Sequence, residues 1–282
     1  MIHYEYTFEN IQPEVSDLLI AELSEIGFDG FEEQESTLKA YSKETDFNSE
    51  LFQNLIDKYA VTFSKSIIKE KNWNEVWESD FEPILVSSKK NHSIFAFVRA
   101  HFHAPNNGAT YDLLITPKMS FGTGHHATTF QMMEEMSMLD FNNKQVVDFG
   151  TGTGLLAILA EKMGAQEVIA IDNDDWSINN AKENVEANSC SAIKLIKSDF
   201  CSAEPNGADI VLANINLNVI KANLNHIRNC SKSNALVVFS GILVEDEEDI
   251  MTALRQSNFE IISKSEKNNW LLISTRLLSE NK

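Results

Sequence analysis

Positive charge is scarce in this chain. Its 282 residues hold 23 Lys and Arg against 42 Asp and Glu, a formal net charge of −19. A surface of that sign repels phosphate backbones, so direct nucleic-acid binding is not expected. It favours a basic partner, because complementary fields speed encounter. The imbalance is uneven: residues 1–80 carry eighteen acids against six lysines, a net of −12. The N-terminal region is therefore the better candidate for meeting something basic. Cysteine is also sparse. Cys190, Cys201 and Cys230 are odd in number and show no C-x-x-C spacing, which argues against a disulfide framework and a zinc site and fits a reducing cytoplasm. No apolar run approaches the roughly 18 residues a membrane span needs, so no membrane partner is expected. Residues 1–10 carry acids where a secretory leader needs a basic flank. The apolar fraction, 43%, is enough for one large domain or a large and a small one.

What is present is concentrated in one stretch. Val146-Val147-Asp148-Phe149 runs into Gly150-Thr151-Gly152-Thr153-Gly154, then a helical pattern, then a second apolar strand, Ile169-Ala170-Ile171, ending in Asp172. Alternate glycines let the backbone turn sharply and let a ligand reach main-chain atoms. An acid at the tip of the next strand sits where a ribose offers two hydroxyls to one carboxylate. The spacing is G-x-G-x-G, with Leu155 where a dinucleotide fingerprint has its third glycine. Asp148 inside the motif would repel a pyrophosphate but suits a cation. Residues 148–154 resemble the first motif of class I S-adenosylmethionine (SAM) methyltransferases. That resemblance implies SAM as cofactor, with S-adenosyl-L-homocysteine as its product, and places Asp148, Gly150, Gly152, Gly154 and Asp172 at the cofactor.

Periodicity outlines two domains and a connector. Residues 2–8, 31–35, 37–42 and 62–68 read as strands, and 13–26 and 50–59 as helices, an order βαββαβ that suggests a ferredoxin-like α+β domain over 1–68. Residues 69–82 read as a connector, with Trp73 and Trp77 on one face of a helix packed on the second domain. Residues 83–282 form that domain. Strand-like segments at 83–87, 93–100 and 111–116 precede a helix at about 128–138. Beyond Lys144, strands at 145–149, 167–171, 193–198, 209–213 and 236–240 alternate with helices at 155–163, 176–188, 217–229 and 245–257, the pattern of a doubly wound parallel sheet. The last two strands, 259–265 and 270–275, are joined by too short a turn for a crossover and must pair antiparallel. The whole resembles the seven-stranded class I methyltransferase sheet with its terminal antiparallel hairpin, and cofactor is expected where strand order reverses.

A second resemblance is narrower. Ser120-Phe121-Gly122-Thr123-Gly124-His125-His126-Ala127-Thr128-Thr129, with Asn72-x-x-x-Val76-Trp77 and Phe81-x-Pro83 before it and Asp209-Ile210-Val211-Leu212-Ala213-Asn214-Ile215 after, resembles the PrmA family, methyltransferases of ribosomal protein L11. Thr151, Thr153 and Ser120 depart modestly from the family pattern, as does Thr116-Pro117-Lys118. The resemblance implies cofactor contacts at Thr129, Gly150, Asp172 and Asn214, and ribosomal protein L11 as a basic protein substrate methylated on lysine ε-amines and its N-terminal α-amine. Asn214, ending a strand beside the expected methyl group, can accept from an amine and orient its lone pair. Phe121 can present an aromatic face to a cation. Asp199, closing the third strand, falls near the expected adenine or simply shapes a turn. His125 and His126 are read as shaping their loop rather than as bases, and His101 and His103, two apart on a strand, as structural rather than metal ligands. Other SAM-dependent readings, on another protein or a small amine, and a non-catalytic SAM-binding ribosome factor, stay open.

Overall fold

Aromatic residues at every second position set the first sheet in the computed structural model, which describes residues 3–34, 36–43, 49–68, 81–116, 118, 120–201 and 207–279. Two units divide the chain, Met1–Trp73 and Asn74–Lys282. The first follows the order β1 (His3–Phe8), α1 (Pro13–Glu25), β2 (Phe28–Gln34), β3 (Thr37–Lys43), α2 (Ser49–Tyr59), β4 (Phe63–Ile68). Its sheet runs β2-β3-β1-β4 with every neighbour antiparallel, the connectivity of a split βαβ unit. Tyr6 and Phe8 of β1 point to the helix side, where Tyr6 meets Phe28 and Phe52 edge-on, each at 5.1 Å, over buried Leu19, Leu23 and Leu38. Burial of each such side chain stabilises by roughly 1.5–3 kcal/mol. β2 begins at Phe28 rather than at residue 31, because Phe28 belongs to this core and a bulge between Phe28 and Gly30 carries the strand past it. Most of the connector expected at 69–82, including the Trp73 and Trp77 helix, lies outside the described residues.

The second unit starts with β5 (Ile84–Ser87), β6 (Ile94–Arg99) and β7 (Tyr111–Leu114), a small sheet with β5 antiparallel and β7 parallel to β6. His101 and His103 are not on a strand: β6 ends at Arg99, and the chain turns where the His103 N–H donates to the Ala100 carbonyl at 3.1 Å. The Arg99 guanidinium grips Asp112 through Nε and Nη2 and donates from Nη1 to the His103 carbonyl, which closes that turn.

Next come α3 (Ala127–Met136), β8 (Gln145–Phe149), α4 (Leu155–Lys162), β9 (Glu167–Asp172), α5 (Asp175–Ala187), β10 (Ile193–Lys197), β11 (Ala208–Asn214), α6 (Leu217–Cys230), β12 (Ser231–Leu243), α7 (Glu247–Gln256), β13 (Phe259–Lys267) and β14 (Trp270–Leu277). These strands make a seven-stranded sheet in the order β10-β9-β8-β11-β12-β14-β13. The first five are mutually parallel; β14 pairs antiparallel with both β12 and β13. Successive residues serve opposite faces. Val146, Val168, Ile210, Leu212 and Val238 face a core with α4 and the small sheet, while Val147, Ile169, Val211, Val237 and Phe239 face one with α6 and α7. All six residues Leu155–Ala160 of α4 are buried, since it is packed between the two sheets. Asn180 and Asn184 of α5 and Asn188 at its C-cap, spaced four apart, reach the chain at the end of β7: Asn184 accepts from Thr116 N and donates to the Thr153 carbonyl, and Asn188 does both with Leu114. Among the described residues no helix is long and apolar enough to cross a membrane, and no group of His, Cys, Asp and Glu could hold a metal ion.

Candidate active site

Strand order reverses at β8, whose chain continuations lead to β9 on one side and, later, to β11 on the other. A crevice must open at the carboxyl ends of these strands. There lies a cavity of about 500 Å³ lined by Phe121, His126, Thr128, Phe149, Gly150, Gly152, Asp172, Asn173, Ser177, Ser198, Asp199, Asn214, Ile215, Asn216, Val219, Gly241 and Trp270. Six of the residues singled out from the sequence, Phe121, Gly150, Gly152, Asp172, Asp199 and Asn214, line it. Asp148, Gly154 and Thr129 do not; they stand behind the lining and hold it.

The glycine loop is locked by its backbone. Gly150 N–H and Thr151 N–H both donate to the Ile171 carbonyl, which ties the end of β8 to β9. Gly150 has φ +79°, and a Cβ there would lie 2.2 Å from Ile215 Cγ2; at Gly152, φ +54°, a Cβ would lie 2.2 Å from the Phe121 carbonyl oxygen. Only glycine admits both approaches. The Phe121 loop is held against this turn by two bonds, Thr153 N–H to the Phe121 carbonyl at 3.0 Å and the Thr153 hydroxyl to the Gly122 carbonyl at 2.7 Å. Gly154 caps α4 and packs on Ala181 of α5, away from the cavity.

Asp148 lies under the loop, fully buried. Its Oδ2 accepts from the Thr151 hydroxyl at 2.6 Å and from Ala157 N–H at 3.1 Å, while Oδ1 has no partner. Burial pushes its carboxyl up to about 7, against the pull of those two bonds and aided by the Asp172 charge. Asp172 accepts from Gly152 N–H at 2.9 Å on Oδ2 and from Asp174 N–H at 3.1 Å on Oδ1, which leaves a lone pair on each oxygen for a ligand hydroxyl. Asp199 accepts from Asn173 Nδ2 at 3.0 Å on the same rim. No Lys or Arg appears among the described lining residues. Such a cavity suits a cationic, phosphate-free ligand.

Opposite the acids, Asn214 ends β11. Its Nδ2 donates to the Thr129 hydroxyl at 3.1 Å, and its Oδ1 is buried with no partner. Asn214 belongs to the cavity lining, and a bare buried amide oxygen is costly unless a donor meets it. Thr129 therefore orients Asn214, while the helix it opens is capped by His126, whose Nδ1 accepts from Thr128 N–H. His126 shapes the cavity as well: its ring lies 5.2 Å from Phe121 and 4.9 Å from Trp270, so three rings line one wall. Phe121 is 53% exposed at the mouth.

Trp270, Ser177, Ser198 and Gly241 escaped the sequence reading, and Ile215 entered it only as the end of a motif. Trp270 opens the C-terminal hairpin, where an aromatic at a strand start carries no local sign of a site. Ile215 had a signal, since it follows Asn214 directly; its carbonyl lies 2.4 Å from where a Cβ of Gly241 would stand.

The family described as ribosomal protein L11 methyltransferase (PrmA) matches residues 10–277. A ribosomal protein L11 methyltransferase of Phocaeicola vulgatus is 35% identical over 266 residues, 92% of each chain. That of Porphyromonas gingivalis is 36% identical over 262 residues, 90% of this chain and 88% of its own. A solved structure of a ribosomal protein L11 methylase from Lactobacillus delbrueckii subsp. bulgaricus superposes with a TM-score of 0.63 at 26% identity, covering 71% of this chain and all of that one.

Proposed function

The chain belongs to the ribosomal protein L11 methyltransferase family, with the class I SAM-dependent methyltransferase fold, and from that premise we propose that it methylates ribosomal protein L11 on lysine ε-amines and the N-terminal α-amine. The observation that carries the reading is Asn214, a residue of the cavity lining whose Oδ1 is buried and unpartnered.

The residues fit SAM, which when bound supplies an electrophilic methyl group on a sulfonium. Asp172 would take the ribose hydroxyls on its two free lone pairs. The backbone of Gly150 and Gly152 would cradle the methionine part, and Asp199 would lie by the adenine. Uncompensated acids on the lining favour the sulfonium over a phosphate-bearing ligand.

The chain's own part in methyl transfer is alignment. Asn214 Oδ1 accepts an N–H of the incoming amine, and Thr129, bonded to Nδ2, fixes which amide atom faces it. Holding the amine this way turns its lone pair toward the methyl carbon and converts encounter into orientation. The wall of Phe121, His126 and Trp270 excludes water. A free lysine amine titrates near 10.4, and burial there disfavours its charged form and helps deliver the neutral nucleophile. The acids of the first 80 residues, net −12, support recognition of a basic substrate by the N-terminal domain; KM for ribosomal protein L11 should then rise with salt.

Incubation of the chain with SAM and ribosomal protein L11, followed by peptide mass mapping, tests the proposal. Methyl increments on lysines and the N-terminal amine are expected, and Asn214→Ala should lower kcat at least tenfold while S-adenosyl-L-homocysteine still binds. Bound cofactor with no methyl increments on that protein would refute the substrate assignment.

A further inference from the structure

Two buried cysteines lie outside the cavity lining and take no part in methyl transfer. Cys201 follows Asp199 by two residues, and Cys230 ends α6, whose N-cap Asn216 and first-turn Val219 line the cavity. Their sulfurs are 3.0 Å apart, and the residues are 3% and 7% exposed. Further contacts hold the pair in place: Cys201 N–H donates to Asn223 Oδ1 on α6, and the Cys230 sulfur contacts the Ile227 carbonyl. A disulfide needs sulfurs about 2 Å apart, so closure requires on the order of 1 Å of movement.

We propose that Cys201 and Cys230 form a redox-modification site, a dithiol that peroxide closes to a reversible disulfide, tying the segment bearing Asp199 to the end of α6. The two thiols share a hydrogen bond in which either sulfur can be the donor. The thiol that ionises is the nucleophile, since the thiolate is the reactive form, and the other's S–H stabilises it. The thiolate attacks one oxygen of hydrogen peroxide; the O–O bond breaks, hydroxide leaves, and that cysteine becomes a sulfenic acid. The second sulfur then attacks the first and the S–O bond breaks. The departing hydroxide takes the second thiol's proton and leaves as water. In sum, two thiols and one hydrogen peroxide give one disulfide and two waters. The sulfurs lose two electrons and the peroxide gains them. Small, uncharged peroxide can reach a buried pair that a bulky disulfide oxidant cannot. Cys190 is the internal control: it is half-buried, its thiol is pushed up to about 11 by burial and by the Glu161 carboxylate, and its S–H donates to the Asn188 carbonyl at 4.0 Å, with no second cysteine beside it.

The experiment treats the reduced full-length chain with a small excess of hydrogen peroxide at neutral pH. Expected are a fall from three free thiols to one, a mass loss of two hydrogens, and a non-reduced peptide joining Cys201 to Cys230, all reversed by dithiothreitol. Closing the 29-residue separation should raise Tm by roughly 5–10 °C. Cys190→Ser should behave as the parent, and Cys230→Ser should form no crosslink. Crosslinks to Cys190, oxygen addition without a crosslink, or three intact thiols would overturn the proposal. A crosslinked chain with unchanged Tm would overturn the tie between the two elements.

Discussion

Replacing Asp148 with Asn should change how stability depends on pH more than it changes stability itself. The carboxyl is fully buried, its Oδ2 holds the loop through Thr151 and Ala157, and its Oδ1 is bare. Burial raises its folded value from 3.8 to about 7. Between those values the native state keeps a proton that the unfolded chain has released. The group's contribution to stability is therefore complete below about pH 4 and is lost as pH rises through 7. The loss is about 1.4 kcal/mol per pH unit, on the order of 4 kcal/mol over the whole window. Asparagine copies the protonated form: its carbonyl can accept both existing bonds, and its NH₂ takes the place of the bare Oδ1. Chemical denaturation of parent and variant at pH 5, 6, 7 and 8, at constant ionic strength and followed by circular dichroism, isolates the effect. Relief of general acidic repulsion is common to both and cancels. The variant should gain on the parent by roughly 3 kcal/mol between pH 5 and pH 8. A difference constant across that range would refute the reasoning that Asp148 carries its proton into the neutral range.

Three further perturbations probe other joints of the structure. Gly152→Ala places a Cβ 2.2 Å from the Phe121 carbonyl at φ +54°, so the loop must move; calorimetry should show S-adenosyl-L-homocysteine binding at least tenfold weaker, and unchanged affinity would contradict the close approach. Thr129→Val strips the acceptor from Asn214 Nδ2, a buried loss of about 1–3 kcal/mol. Steady-state kinetics should show kcat falling about tenfold with cofactor affinity nearly unchanged, while Thr129→Ser restores kcat. Asn184→Ala orphans Thr116 N–H and the Thr153 carbonyl; calorimetric Tm should drop by roughly 5–10 °C, and a drop under 2 °C would show that water replaces the side chain.

Much of the site was legible because its signals are local. Gly150 and Gly152 sit between two apolar strands, and Asp172 closes the second, so backbone conformation and strand polarity alone bring them to one crevice. Thr129, implied by the family resemblance, and Asp148, marked by the glycine motif, stand behind the residues that line the cavity. Their roles depend on partners, Asn214 across 85 residues and a buried space beneath the loop. Trp270 was not legible at all, since only the folding of the hairpin against α3 brings it to His126.

The sequence by itself determined the element order, the two-sided apolar strands and the glycine loop, because these rest on periodicity and backbone freedom within a few residues. The tertiary structure alone decided that β14 inserts between β12 and β13, that His126 caps α3, that three rings line one wall, and that Cys201 meets Cys230. Those contacts join residues far apart in the chain. Their geometry comes from how sheets and helices pack, which local propensity does not encode.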